Sequence, residues 1–136
     1  MTEIMSTLTG KRLHVALSYE DFSLFQRSDI SDDIEPLQLA LLSLNKDQTF
    51  KAHKHIEHKR LIEITQESWV VISGSVRADY YDESGGFISS MILRVGDCTI
   101  SFGGGHNYTA LEDNTHVYEI KNGPFEGRNI DKEDIK

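Results

Sequence analysis

Four histidines and one carboxylate stand where they can do chemistry. His53 and His55 lie two apart in the segment 49–55, and residues two apart on a β-strand face the same side. The pair therefore offers two imidazoles to one ion, which is the start of a transition-metal site. Glu67 opens the run Glu67-Ser68-Trp69-Val70-Val71-Ile72-Ser73, whose alternation puts Glu67, Trp69 and Val71 on one face. A carboxylate sharing an apolar, inward face needs a partner, because unpaired burial is costly or forces it to protonate. A metal is such a partner, and so is an arginine. Gly103-Gly104-Gly105 then lets the backbone bend sharply before His106, whose same-face companions on a strand are Tyr108 and Ala110.

Other side chains are weighed against this set. His58, in the loop 56–66, and Tyr108 join Glu67 as candidates for proton transfer. Trp69 is a wall of the pocket or of the core, and Arg77 is a candidate for neutralising an anionic substrate. His14 falls on the more exposed face of its strand and reads as a surface histidine. His116 has no partner at metal spacing and reads as structural, Glu119 and Lys121 face together as a pair, and Cys98 reads as a small hydrophobe.

The elements that must position these residues are strands. Residues 13–19, 37–44, 49–55, 60–65, 67–73, 75–81, 87–94, 98–102, 108–111 and 116–121 each have strand length or strand alternation, with Gly, Asp, Asn and Ser turns between them. Asp82-Glu83-Ser84-Gly85-Gly86 marks a hairpin between 75–81 and 87–94. Residues 1–10 read as a loose terminus or an added edge, 11–27 as N-terminal strands, 37–121 as the core, and 122–136 as a charged tail with a short helical turn. About ten short strands without a long helix imply one all-β domain, a sandwich or small barrel.

Composition excludes several classes of function. With 38% hydrophobic and 26% charged residues and a single cysteine, Cys98, the chain supports a core without disulfides or a cysteine-cluster zinc site. A net charge of -8 argues against a nucleic-acid partner. No signal-peptide pattern and no long apolar run are present, so the expectation is a cytoplasmic protein that does not engage a membrane. The apolar run 37–44 exceeds what one small sheet covers, which predicts a homodimer that buries an edge.

The order His53-x-His55, Glu67 followed by Gly74, Gly96-Asp97 leading a strand, and His106 resembles the two motifs of the cupin superfamily across residues 49–120. The loop 56–66 is longer than the family pattern, Phe102 or Gly103 stands near the usual proline, and Ala110 replaces an expected Asn. Residues 65–71 and 118–125 are similar to small single-domain cupins of bacterial surface-polysaccharide gene sets. The resemblance implies a double-stranded β-helix, or jelly roll, with His53, His55, Glu67 and His106 holding Fe, Mn, Ni, Co or Zn. Glu57 or Glu63 are alternatives for the carboxylate, and His58 for a histidine. The implied ligand is a small polar molecule such as a sugar or sugar nucleotide. The reaction would be isomerisation, epimerisation or iron-dependent oxygenation. The competing readings are a non-enzymatic binding module or accessory subunit, and a metal-free epimerase using a His and a Tyr.

Overall fold

A computed structural model describes residues 1–24 and 26–135. In chain order the elements are β1 (Thr2–Met5), β2 (Arg12–Leu17), a 3-10 helix (Tyr19–Leu24), β3 (Arg27–Asp29), β4 (Ala40–Leu42), β5 (Glu67–Ser73), β6 (Ser75–Tyr81), β7 (Phe87–Arg94), β8 (Cys98–Ser101), β9 (Gly105–Ala110), β10 (His116–Lys121) and α1 (Arg128–Asp131). The fold is all-β. A five-stranded sheet has the order β1-β2-β8-β5-β10, a three-stranded sheet β7-β6-β9, and β3 pairs β4 alone. All pairs are antiparallel. From β5 onward the chain crosses from the larger sheet to the smaller (β6, β7), back (β8), across (β9) and back again (β10).

The five-stranded sheet is covered on both faces. One face contributes Ile4, Ala16 and Val71 to a core with Val76, Ala78, Tyr80 and Leu93 of the smaller sheet. The other contributes Val15, Leu17, Cys98 and Ile100 to a second core with Ile30 and Leu41 of the segment around β3 and β4. Double coverage is why β2 is buried at Leu13 through Leu17 without a break, although its sequence alternates. Gly74 turns β5 into β6 with φ of 71°, and a Cβ there would collide with Thr115. The β6–β7 hairpin closes where expected: Asp82 Oδ1 accepts hydrogen bonds from Ser84 N, Ser84 Oγ and Gly86 N.

Several expectations are corrected. The apolar run 37–44 yields only the short strand β4, because its apolar side chains cover a face of the large sheet instead of pairing along their length. The strands expected at 49–55 and 60–65 are not formed, and residues 44–64 are exposed at every position. Residues 1–10 do supply an added edge, β1, paired with β2. The tail forms its helical turn at α1. Among the described residues no helix is long and apolar enough to cross a membrane.

His14 is also not a surface residue. It is fully buried, because the face it occupies is the one covered by the smaller sheet. Its ring lies 4.9 Å from that of Tyr80, Nε2 donates to the Tyr81 carbonyl at 3.1 Å, and Nδ1 accepts from the Ser101 hydroxyl at 2.8 Å. Burial pulls its pKa down to about 4, against a partial lift from the Tyr81 carbonyl and with a further lowering by His106. Between pH 6.5 and 4 the unfolded imidazole takes a proton that the folded one refuses, so stability falls as pH drops through this window. The loss reaches about 3 kcal/mol at the lower end, at about 1.4 kcal/mol per pKa unit. Glu67 and Asp82, both held down at about 2, lose their contributions mainly below that window. Urea unfolding at pH 7 and pH 4.5 is expected to show this loss, and His14→Gln, which cannot be protonated, is expected to flatten it.

Candidate functional site

Glu67, the first residue of β5, sits between Ser101 of β8 and Lys121 of β10 and turns its side chain toward the smaller sheet. Trp69 Nε1 donates to Oε1 at 2.9 Å, the geometry expected of two residues on one face of a strand. His106 Nε2 stands 3.3 Å from the same oxygen. The ammonium of Lys132, just past α1, stands 3.3 Å from Oε2. Burial pushes the Glu67 pKa up, but the hydrogen bond and charge of His106, and then Lys132, outweigh it and hold the group at about 2. Glu67 is therefore an anion that three side chains from β5, β9 and the tail compensate.

Aromatic rings wall this carboxylate. Tyr108 stacks on Trp69 with ring centres 4.2 Å apart and on His106 at 5.0 Å. The β9 backbone reaches this position because Gly104, at φ of 67°, packs where a Cβ would meet the Tyr81 carbonyl and His14. Among the described residues, two polar atoms here are buried without a hydrogen-bond partner: His106 Nδ1 and the Tyr108 hydroxyl. Burial pushes the Tyr108 pKa above its ordinary value, so the phenol keeps its proton. Tyr80, deeper in the core, donates to or accepts from Thr99 Oγ1 at 2.8 Å, and burial raises it to about 12. A recess of about 350 Å³ opens between residues 62–65 and the tail, bounded by Ile64, Asn122, Pro124, Ile130 and Asp131; Glu67, Trp69, His106 and Tyr108 are not part of its wall.

The residues expected to form one metal set fall into two groups. Glu67 and His106 meet. His53 and His55 lie in the exposed stretch 44–64, their rings 5.5 Å apart and edge-on to each other. His58 lies in the same stretch, its Nδ1 3.4 Å from the Ile56 carbonyl, and Glu57 and Glu63 are exposed there too. Among the described residues no three His, Cys, Asp or Glu side chains cluster as a metal site would require. Trp69 and Tyr108 line the carboxylate as expected. Arg77 does not: it alternates with the buried Ala78 and Val76, is exposed, and pairs with Asp79 at 3.2 Å. Cys98 is buried 3.3 Å from Ser68 Oγ, and burial raises its thiol. Glu119 and Lys121 pair at 3.2 Å.

Two residues of the site escape a reading by pattern. Lys132 lies 65 positions from Glu67, and although the carboxylate's need for a cation was legible, nothing in the tail marks which of its charges answers it. Gln66 is almost fully buried; its side chain accepts from Leu37 N at 3.0 Å and donates to the Phe102 carbonyl at 3.2 Å, and its own N–H donates to Asn122 Oδ1 at 2.7 Å. It anchors the start of β5, and with it Glu67. Comparison with known protein families, with curated proteins and with solved structures finds no match.

Glu67→Ala is expected to strand the Trp69 N–H and lower stability at pH 7 by about 1–3 kcal/mol. Glu67→Gln retains an acceptor for the indole and is expected to cost less. Denaturant titration followed by the emission of Trp69, the one tryptophan of the chain, measures both.

Proposed function

We propose that this chain is a jelly roll of the cupin type. In this reading the Glu67–His106 pair helps to bind a divalent transition metal and, near it, a small polar molecule of the sugar or sugar-nucleotide class. The observation that carries this is the approach of Glu67 Oε1 to His106 Nε2 at 3.3 Å. Two bonds of about 2.1 Å to one ion, at a near-tetrahedral angle, place their donor atoms about 3.4 Å apart. The donors also suit the ion: a carboxylate held ionised and an imidazole serve Fe, Mn, Ni, Co or Zn alike. The alternation of β5 through β10 between two antiparallel sheets supports the jelly-roll topology. His53 and His55 are the remaining members of the ligand set, carried by the exposed stretch.

When bound, such a metal supplies Lewis acidity toward a carbonyl or enediol oxygen. The chain's own residues do the rest. Trp69 offers a flat apolar wall to a sugar ring, and Tyr108 holds a proton at its hydroxyl, ready to donate it. Glu67 keeps its charge at neutral pH, so it can hold a cation, and Lys132 neutralises it in the cation's stead. In this reading the body of the small molecule lies in the recess between Ile64 and Asp131, whose walls lead in sequence to Glu67 and Lys132. Isomerisation or epimerisation is the chemistry this set suits, with His58 as a further proton carrier from the exposed stretch.

The direct Glu67–His106 contact favours one second reading: a metal-free acid–base pair in which Glu67 orients His106 and Tyr108 serves as the acid. The two readings differ in a titration. Under the metal reading, Co²⁺ or Ni²⁺ quenches Trp69 emission saturably, at one ion per chain by metal analysis, and Glu67→Gln or His106→Ala weakens binding at least about tenfold. Under the acid–base reading, neither metal saturates at this stoichiometry and exhaustive chelation leaves activity intact.

A further inference from the structure

The stretch 44–64 is exposed at all of its positions, yet it does not have the composition of a solvated loop. Leu44, Phe50, Ile56, Leu61, Ile62 and Ile64 are each at least two-fifths exposed, and among the described residues 49–65 form no backbone–backbone hydrogen bond. Apolar side chains and unpaired backbone together describe a strand without a sheet. The sheet it lacks is present in the same molecule. Among the described residues β9 pairs only with β6 and leaves its other edge open, and that edge carries His106.

Charge favours a meeting of the two. Five of the fourteen Lys and Arg residues, Lys46, Lys51, Lys54, Lys59 and Arg60, fall within residues 44–64, against Asp47, Glu57 and Glu63 of the twenty-two acids. The remainder of the chain is correspondingly acidic, so this arm is attracted to a second copy's body. Reach is no obstacle, since twenty-one extended residues span roughly 70 Å, or half that out and back.

We infer that the arm 44–64 of one chain adds as a strand to the free β9 edge of a second chain, and that it brings His53 and His55 to the partner's Glu67–His106 pair. Each site is then built from two chains. His53 and His55 share one face of the added strand, as His106 and Tyr108 share one face of β9, so Lys54 and Asn107 fall together on the other face. The role given to the histidines rests on the metal reading of the site; the pairing of the strands does not.

Two experiments separate these. Lys54 and Asn107 are both exposed, so Lys54→Cys with Asn107→Cys perturbs the fold little. Mild oxidation of the double variant, prepared as a mixture of isotopically light and heavy chains, is expected to give a covalent dimer in which a disulfide joins position 54 of a light chain to position 107 of a heavy one, or the reverse. Each single variant is expected to lack that link. A link formed only within chains, or none, overturns the exchange whether or not the protein binds metal. In the second experiment, His53→Ala/His55→Ala chains are unfolded and refolded together with Glu67→Gln/His106→Ala chains and titrated with Co²⁺. Recovery of tight binding that neither variant shows alone is expected. Tight binding by the wild type without recovery in the mixture overturns donation between chains, and failure of the wild type to bind overturns the metal reading itself.

Discussion

The burial of one carboxylate governs the arrangement around it. Glu67 is almost entirely removed from solvent at the start of a central strand, and an ion in that position persists only where donors surround it. The donors come from three places: the indole of Trp69 two residues on, the imidazole of His106 from the opposite sheet, and the ammonium of Lys132 from the tail. Each ties a separate part of the chain to β5. The Tyr108 ring, wedged between Trp69 and His106, fixes the directions of two of those donors by packing.

Behind the site stands a sheet that is covered twice. Because β2 and β5 have apolar residues on both faces, and β8 buries Cys98 and Ile100 on one face and Thr99 and Ser101 on the other, they cannot slide in register without exposing one core or the other. That rigidity holds Glu67 opposite Ser101 and sets Ser101 beside His14. His14, neutral and bonded through both ring nitrogens, lies under Gly104 at the turn that delivers His106. A histidine buried for structural reasons thus lies in contact with the turn leading to the histidine that meets Glu67.

Much of this was legible in the residues. The alternation Glu67, Trp69, Val71 placed the carboxylate and indole on one face, as observed, and the Asp82–Gly86 turn marked its hairpin. The three glycines before His106 signalled a close backbone approach, which Gly104 makes. Three features were not legible. His14 alternates like a surface residue, and only the presence of a second sheet buries it. Arg77 alternates like its neighbours, and only the direction of the β6 pleat turns it outward. Residues 49–55 and 60–65 have strand composition, but composition cannot supply a pairing partner, and among the described residues of one chain they find none.

By itself the sequence determined that the chain is built of strands, where most of them begin and end, and that Glu67 shares a strand face with Trp69, as His106 does with Tyr108. Those properties are local: they follow from the two-residue repeat of a strand and from the backbone freedom of glycine. Which faces are covered, which cation answers Glu67, and where His53 and His55 lie relative to it were decided by tertiary structure. Coverage, charge pairing and edge pairing join residues dozens of positions apart, and no periodicity in a chain records which distant surface will meet it.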